Sequence, residues 1–326
     1  MTWLTWRQFR IPAAAVYTPV LVAVVLLVIT GADLPGRTDY SDMEVMFGTT
    51  ILAQYLLPAV IGVFWGVPMV TRELETGTHN LVWNQSVTRK QWLTSKLGFG
   101  VLAAMIAAAL LATAVTWWAS PIDAAAAADP ASSELGRMSP VVFAARAIAP
   151  IGYAAFAFVL GVAVGIVLRK TVAAMAVTLV VFAAVMVAVP LLVRPYVLPA
   201  TVEDVAITQE NIQKITGNDQ EILESIQVFQ PAGAWVLSNE TVDASGTAVF
   251  PLPDEVQECA PRMAAGPASR MTITECLAQL SDLGYTQRVT YQPGHHFWPL
   301  QLIEVGLFLA LTALLTWFSF RRLRHV

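Results

Sequence analysis

Charge is what this chain has least of. Asp, Glu, Lys and Arg together make up 13% of its 326 residues, against roughly 25% in a soluble globular protein. That deficit excludes a water-facing surface over the whole molecule. A mean hydropathy of +0.61 names the bilayer as the solvent for much of it. No G-x-x-x-x-G-K-[ST] run occurs, so the chain has no phosphate cradle for ATP of its own. No basic patch with interleaved aromatics occurs either, which removes nucleic acid as a partner. The histidines number 4. None is joined by a motif to a nucleophile, and the adjacent His295-His296 lacks a third ligand at suitable spacing, so neither a membrane enzyme nor a metal centre is expected. The net charge of -4 carries little weight, because charge in a membrane protein matters by side and not by sum.

What is present is long apolar runs. Six stretches are near the ~20 residues that cross the hydrocarbon as helix: Pro12–Ile29, Thr49–Val70, Leu93–Trp118, Val141–Leu168, Thr171–Val193 and Phe297–Phe320. No small-residue cleavage site follows the first, so it reads as a span and not as a removed signal. Arg7 and Arg10, then Arg72, Arg89, Lys90 and Lys96, then Arg169 and Lys170, then Arg321, Arg322 and Arg324 all fall on one side of such a topology. Asp33, Asp39, Asp42, Glu44, Asp123, Asp129 and Glu134 fall on the other. The basic side is expected to be cytoplasmic, with both termini there.

In that arrangement the only cytoplasmic carboxylates are Glu73 and Glu75, in the loop Thr71–Trp92. Leu74, Thr78, Leu81 and Val82 fall on one face of a helix lying along the membrane surface. Thr88 and Gln91 form a capping box that can start the third span. An ordinary loop, with Glu73 pairing Arg72 or His79, fits the residues too.

The pattern Glu73-x-Glu75-x-Gly77-Thr78, then Leu81, then Ser86-x-x-Arg89 and Lys96, resembles the first cytoplasmic loop of ABC-2 type exporter permeases. His79-Asn80 and Val82–Gln85 depart from the more apolar family pattern. The run from Tyr291 to Glu304 resembles the entry to the last span in actinobacterial permeases of this class. The resemblance implies a fold: an all-α polytopic membrane protein with six transmembrane helices. It implies that the loop is a coupling helix, with Glu73, Glu75, Gly77, Thr78, Leu81 and Arg89 docking on a cytoplasmic ATPase subunit. It implies two permease copies, as a homodimer, with two ATPases. ATP and Mg would be bound by the partner and no cofactor by this chain. It also implies an amphipathic elbow over residues 1–11, where Trp3, Leu4, Trp6 and Phe9 make an apolar side; an aromatic belt at the start of span one is the plainer alternative.

Within the spans, Gly161-x-x-x-Gly165 is a close-approach spacing for helix packing, and Pro58 and Pro68 are candidates to kink span two. Arg146 and Glu304 each lie some residues into a span from the outer side, roughly 8–11 Å deep. Equal depth and opposite sign make them candidate partners; snorkelling to the interface is the other reading.

Residues 194–296 are long enough for a small α+β extracellular domain. Asn218-x-x-Glu221 caps an expected helix through Ser225, and Thr272-x-x-Glu275 caps another ending at Leu283 before Gly284. Tyr285–Gln292 alternates as a strand, whereas Gln230–Pro253, rich in Pro and Gly, reads as irregular. Cys259 and Cys276 both fall here; outside the cytoplasm such a pair is expected to oxidise, two free thiols being the alternative. The expected organisation is therefore an N-terminal segment 1–11, spans one to five over 12–193 with the coupling loop 71–92, the external domain 194–296, span six over 297–320 and a basic tail 321–326. The expected function is the permease subunit of an exporter in the bacterial plasma membrane, in contact with lipid. The alternative is a sensor or scaffold that only anchors a ligand-binding external domain.

Overall fold

A computed structural model describes residues 2–37, 39–77, 88–128, 136–217, 223–229, 231–252 and 273–323. Six of its helices are long and apolar enough to cross a membrane: Arg10–Gly31, Ser41–Glu75, Arg89–Ala127, Ala149–Leu168, Thr171–Val197 and Gly294–Leu323. The chain divides into two compact units, one of residues 1–124, 140–194 and 297–326, the other of residues 125–139 and 195–296.

The first unit holds the spans. Helix α1 runs unbroken over Thr2–Gly31, through Pro12 and Pro19. The residues read as an elbow are helical and continue without a break into the span, whose apolar stretch begins at Arg10. A proline removes one helical hydrogen bond but need not end a helix packed among others, and here the Trp65 indole donates to the Pro12 carbonyl at 2.9 Å. Span two is three pieces: α2 (Glu44–Val60), a π-helical segment Ile61–Gly66, and α3 (Val67–Glu75). The widened segment lies between Pro58 and Pro68, two positions that cannot donate to the helical ladder. Span three is α4 (Arg89–Ala128).

Span four departs from expectation. In place of one helix over Val141–Leu168 there is a short α5 (Pro140–Ala144), a break, and α6 (Ala149–Leu168). Ala147 in the break has φ +51, and Pro150 disfavours helical backbone just before it. Hydropathy cannot reveal such a break, because the residues are as apolar as the helix around them. After α6, Arg169 (φ 52) caps the helix by donating its N–H to the Gly165 carbonyl, and α7 (Thr171–Ala188) turns straight back. A second π-helical segment, Val189–Val193, leads into α8 (Arg194–Val197).

The second unit is a mixed fold. Strands β1 (Thr201–Ala206), β5 (Thr286–Gln292) and β4 (Trp235–Val242) make an antiparallel sheet in that order, and β2 (Ile212–Gly217) pairs with β3 (Leu223–Val228). Strand β5 buries Gln287, Val289 and Tyr291 on the alternating face read from sequence. Helix α9 (Ile273–Asp282) packs Leu277 and Leu280 on Ile207, Ile226 and Leu252. Two expectations fail. Residues 223–225, the described end of the expected helix, instead begin β3, whose Ile226 and Val228 are buried at a spacing of two. The run Gln230–Pro253 holds β4, and its turn-forming residues punctuate the ends: Gly233 and Gly246 have positive φ on either side of the strand. The caps at Asn218–Glu221 and Thr272, Cys259, and the side chain of Cys276 lie outside the described residues. The chain closes with α10 (Phe297–Leu323), back in the first unit.

Helix α6 is the hub of the first unit. Its span window is 78% buried, against 22% for spans one, five and six. The spacing Gly161-x-x-x-Gly165 faces a second one, Gly62-x-x-x-Gly66, on the π-helical segment. A Cβ at Gly161 would stand 2.3 Å from the Gly62 carbonyl oxygen, and one at Gly66 2.3 Å from that of Phe158. Helix association within lipid draws on close packing, not on expulsion of water, and small residues permit it. Gly161→Val is expected to destabilise the chain in detergent by ~2 kcal/mol, the scale of core overpacking. Gly306→Val, at a site with nothing within 4 Å of the added Cβ, should leave the thermal midpoint near wild type.

Candidate functional site

Two places in the first unit gather polar side chains. The first is the pole where span two ends, span three begins, and spans four, five and six have their basic ends. Helix α3 carries Thr71, Glu73 and Glu75 to this pole. Glu73 is not free to project. One carboxylate oxygen accepts from Lys96 Nζ at 2.6 Å and the other from the Trp92 indole at 2.9 Å, both on the first turns of α4. Lys96 also donates to the Met69 carbonyl at 2.8 Å and lies over the Trp92 ring at 4.6 Å. This clamp reaches across the loop to the neighbouring helix; His79, the other residue read as a partner of Glu73 beside Arg72, lies outside the described residues.

Glu75 is exposed and accepts from the Thr171 hydroxyl at 2.6 Å, and the Thr171 oxygen lies 2.9 Å from the Thr71 hydroxyl. Thr71 in turn packs on Gly165. Arg89 Nη1 reaches the Leu323 carbonyl at 3.4 Å. Thr88 and Gln91 exchange the two capping hydrogen bonds expected of them, each at 3.3 Å. Gly77 has φ +70, a left-handed conformation that ends α3 and favours glycine. Thr78 and Leu81 lie outside the described residues. Arg72, Glu75, Thr76, Arg89 and Lys90 are exposed at this pole.

The second place is the break between α5 and α6. A chain interrupted among apolar helices must find partners for its freed backbone groups. Gln301 of α10 supplies two: its Oε1 accepts from the Ala149 N–H at 2.8 Å and its Nε2 donates to the Phe143 carbonyl at 2.9 Å. Thr116 of α4 accepts from the Ala147 N–H at 2.9 Å. Beside Gln301, Glu304 accepts from Arg194 through both oxygens, from Nε and Nη2, each at 2.9 Å. Arg194 Nη1 donates to the Pro140 carbonyl at 2.9 Å, and the guanidinium lies over the Phe143 ring at 4.3 Å. The Tyr153 hydroxyl donates to Glu304 as well.

The expected Arg146–Glu304 pair is thus corrected. Glu304 belongs to Arg194, and Arg146 contacts Asp123, Nε to Oδ2, at 3.3 Å. Depth counted at a fixed rise fails for Arg146 because it sits in the break and not in a helix. Arg194 was overlooked because it follows the apolar run of span five directly and so read as the first residue of the external domain. Its position one residue past that run was the available signal. Lys96, Trp92 and Thr171 were similarly not recognised as partners of the loop acids, although the topology puts all three at the same pole.

Residues 30–194 match the family described as ABC-2 membrane transporter related. The chain belongs to that family. The match covers spans two to five, including α3, the loop and the break, and with six long apolar helices it makes this a multi-pass membrane protein of the transporter permease type. No curated protein and no solved structure matches the chain significantly.

The pairing at the break sets a double-mutant test. Arg194→Met and Glu304→Gln should each cost ~3–5 kcal/mol, the scale for stranding one member of a buried pair. The double mutant should cost less than the sum by ~1 kcal/mol or more. Arg146→Met combined with Glu304→Gln should be additive. Thermal unfolding in detergent reads both cycles.

Proposed function

We propose that the chain is the permease subunit of an ATP-driven exporter, paired with a second copy and driven by two copies of a separate ATPase subunit that docks at the pole around residues 71–92. The chain's own sequence holds no ATP cradle, so the energy enters from outside it. The bias of Lys and Arg supports a cytoplasmic side for this pole, with residues 194–296 external in a plasma-membrane protein. There, Cys259 and Cys276 would meet oxidising conditions and pair.

The observation that carries the reading is the clamp at the loop's base. Glu73 fastens the end of α3 to Lys96 and Trp92 at the start of α4. Thr71 and Glu75 fasten α3 to Thr171 at the start of α7. A push on the loop between α3 and α4 then moves spans two, three and five as one piece. Through the Gly62 and Gly66 crossing it reaches α6 and the break beyond. Glu73, first read as a docking residue, does its work inside the chain in this scheme. Docking falls to the exposed Arg72, Glu75 and Arg89, with Gly77 at the end of α3. Export of a hydrophobic or amphipathic cargo follows if α6 and its partners rock between two arrangements.

Recovery of an ATPase with the chain from native membranes tests the reading, and its absence would favour the anchored sensor. Arg72→Glu combined with Arg89→Glu should lower the amount of ATPase recovered about tenfold, equivalent to ~1.4 kcal/mol, while the chain still inserts and unfolds at the wild-type temperature. Glu73→Gln should instead lower the unfolding temperature, because Lys96 loses its countercharge in a buried position. Unchanged recovery in the double reversal would remove this pole as the docking surface.

A further inference from the structure

The first unit buries two arginines and treats them differently. Arg194 spends Nε and Nη2 on Glu304 and Nη1 on the Pro140 carbonyl. Arg146 is 1% exposed and donates from Nε to Asp123 Oδ2 at 3.3 Å. Its Nη1 and Nη2 are fully buried and have no hydrogen-bond partner among the described residues. A guanidinium carries five N–H donors, four of them on those two nitrogens. The Phe47 ring, 4.9 Å away, covers the face of the group but cannot fill its edge. An arginine placed for packing or for pairing alone would show the saturation that Arg194 shows, since an unmet donor among apolar helices is costly.

A second buried group, on the helix that carries Phe47, is in the same condition. Gln54 is 1% exposed, and neither its amide nitrogen nor its amide oxygen has a partner among the described residues. It stands two turns along α2 from Phe47, and Phe47, Thr50 and Gln54 are all buried, one stripe of that helix. The break holds Arg146 between α5 and α6, with Ala147 at φ +51 tied to Thr116. Arg146 is therefore carried on backbone that neither helix dictates.

We propose that Arg146 is the recognition residue of an oxyanion site inside the first unit, taking the carboxylate or phosphate head of an amphiphile, with Gln54 a further polar contact along the α2 stripe. Two nitrogens on one edge of a guanidinium match two oxygens of such a head. Asp123 on Nε neutralises the group when the site is empty and holds the fork in orientation. The site is closed in this arrangement, beneath Phe47, so a ligand enters when α2 parts from the break. This goes beyond the exporter reading and does not depend on the ATPase. Binding is measured on the chain alone, so failure of one leaves the other standing.

The test is thermal unfolding of the full chain in neutral detergent, with dodecyl phosphate as probe and dodecyltrimethylammonium as the charge control. Dodecyl phosphate should raise the midpoint by about 3 °C or more, and the cation should not. Arg146→Gln should abolish the shift, and Arg146→Lys, which keeps charge but loses the fork, should reduce it. Arg37→Gln, at an exposed ion pair, should retain it. Asp123→Asn releases the guanidinium from its countercharge and should enlarge the shift, an arm that stands even if Arg146→Gln fails to fold. A shift of the same size with inorganic phosphate assigns the site to small anions. One reproduced by phosphatidylglycerol nanodiscs assigns it to bilayer headgroups, and one confined to dodecyl phosphate assigns it to single-chain cargo. No shift with any anion, or a shift unchanged in Arg146→Gln and not enlarged in Asp123→Asn, overturns the proposal.

Discussion

The architecture of the first unit depends on one close crossing. Gly62 and Gly66 of the π-helical segment meet Ala157, Phe158 and Gly161 of α6 with backbone against backbone, too near for any Cβ at the crossing point. In water such a contact would add little to the burial of apolar surface. In lipid the tails are as apolar as the side chains, so helices gain chiefly from packing that tails cannot match. The crossing is where this chain makes that gain most fully. It brings α6 to the centre, and α6 then carries α7, α10 and the Phe158 ring that seats against Gly100 of α4. The widened turn of the π segment puts two glycines on one face of span two, between two prolines that already deny it a regular ladder.

A second constraint follows from the first. Because α6 is central, the interruption just before it lies among packed helices, and its backbone groups need partners from the protein. Gln301 and Thr116 meet the freed groups, and the Arg194–Glu304 pair, with Tyr153, seals the same region. At the other end of α6 the polar contacts lie closer to the surface and join its neighbours: Glu73 with Lys96, Thr71 with Thr171. The hub itself is held in the middle by bare backbone. A displacement of the loop 71–92 has a continuous mechanical route to the break.

The spans were legible because each is a long apolar run and the lengths match the bilayer. Strand β5 was legible because its alternation is strict and its neighbours are turn residues. The break at 145–148 was not, because Ala and Ile are as apolar in a loop as in a helix, and Pro150 alone marked it. Strands β3 and β4 were hidden by polar and turn-forming residues that in fact sit at their ends. Glu73 drew notice by its isolation, but its partners lie on the next helix, and only the antiparallel return of α4 brings Lys96 to it. Glu304 was identified as a buried charge needing an opposite, and the requirement was right. The partner was misassigned because depth arithmetic assumes regular helix, and Arg146 is not in one.

The central claim is that α3 rides on α6 through the glycine crossing and ends locked to the start of α7. The hydroxyls of Thr71 and Thr171 are 2.9 Å apart, and Thr71 packs on Gly165, one turn beyond Gly161. Thr71→Cys with Thr171→Cys, in a chain whose Cys259 and Cys276 are replaced by serine, measures that geometry in native membranes. The account predicts near-complete cross-linking on mild oxidation and a marked loss of it when Gly161→Val is added. Absence of the cross-link, or a cross-link indifferent to Gly161→Val, would contradict it.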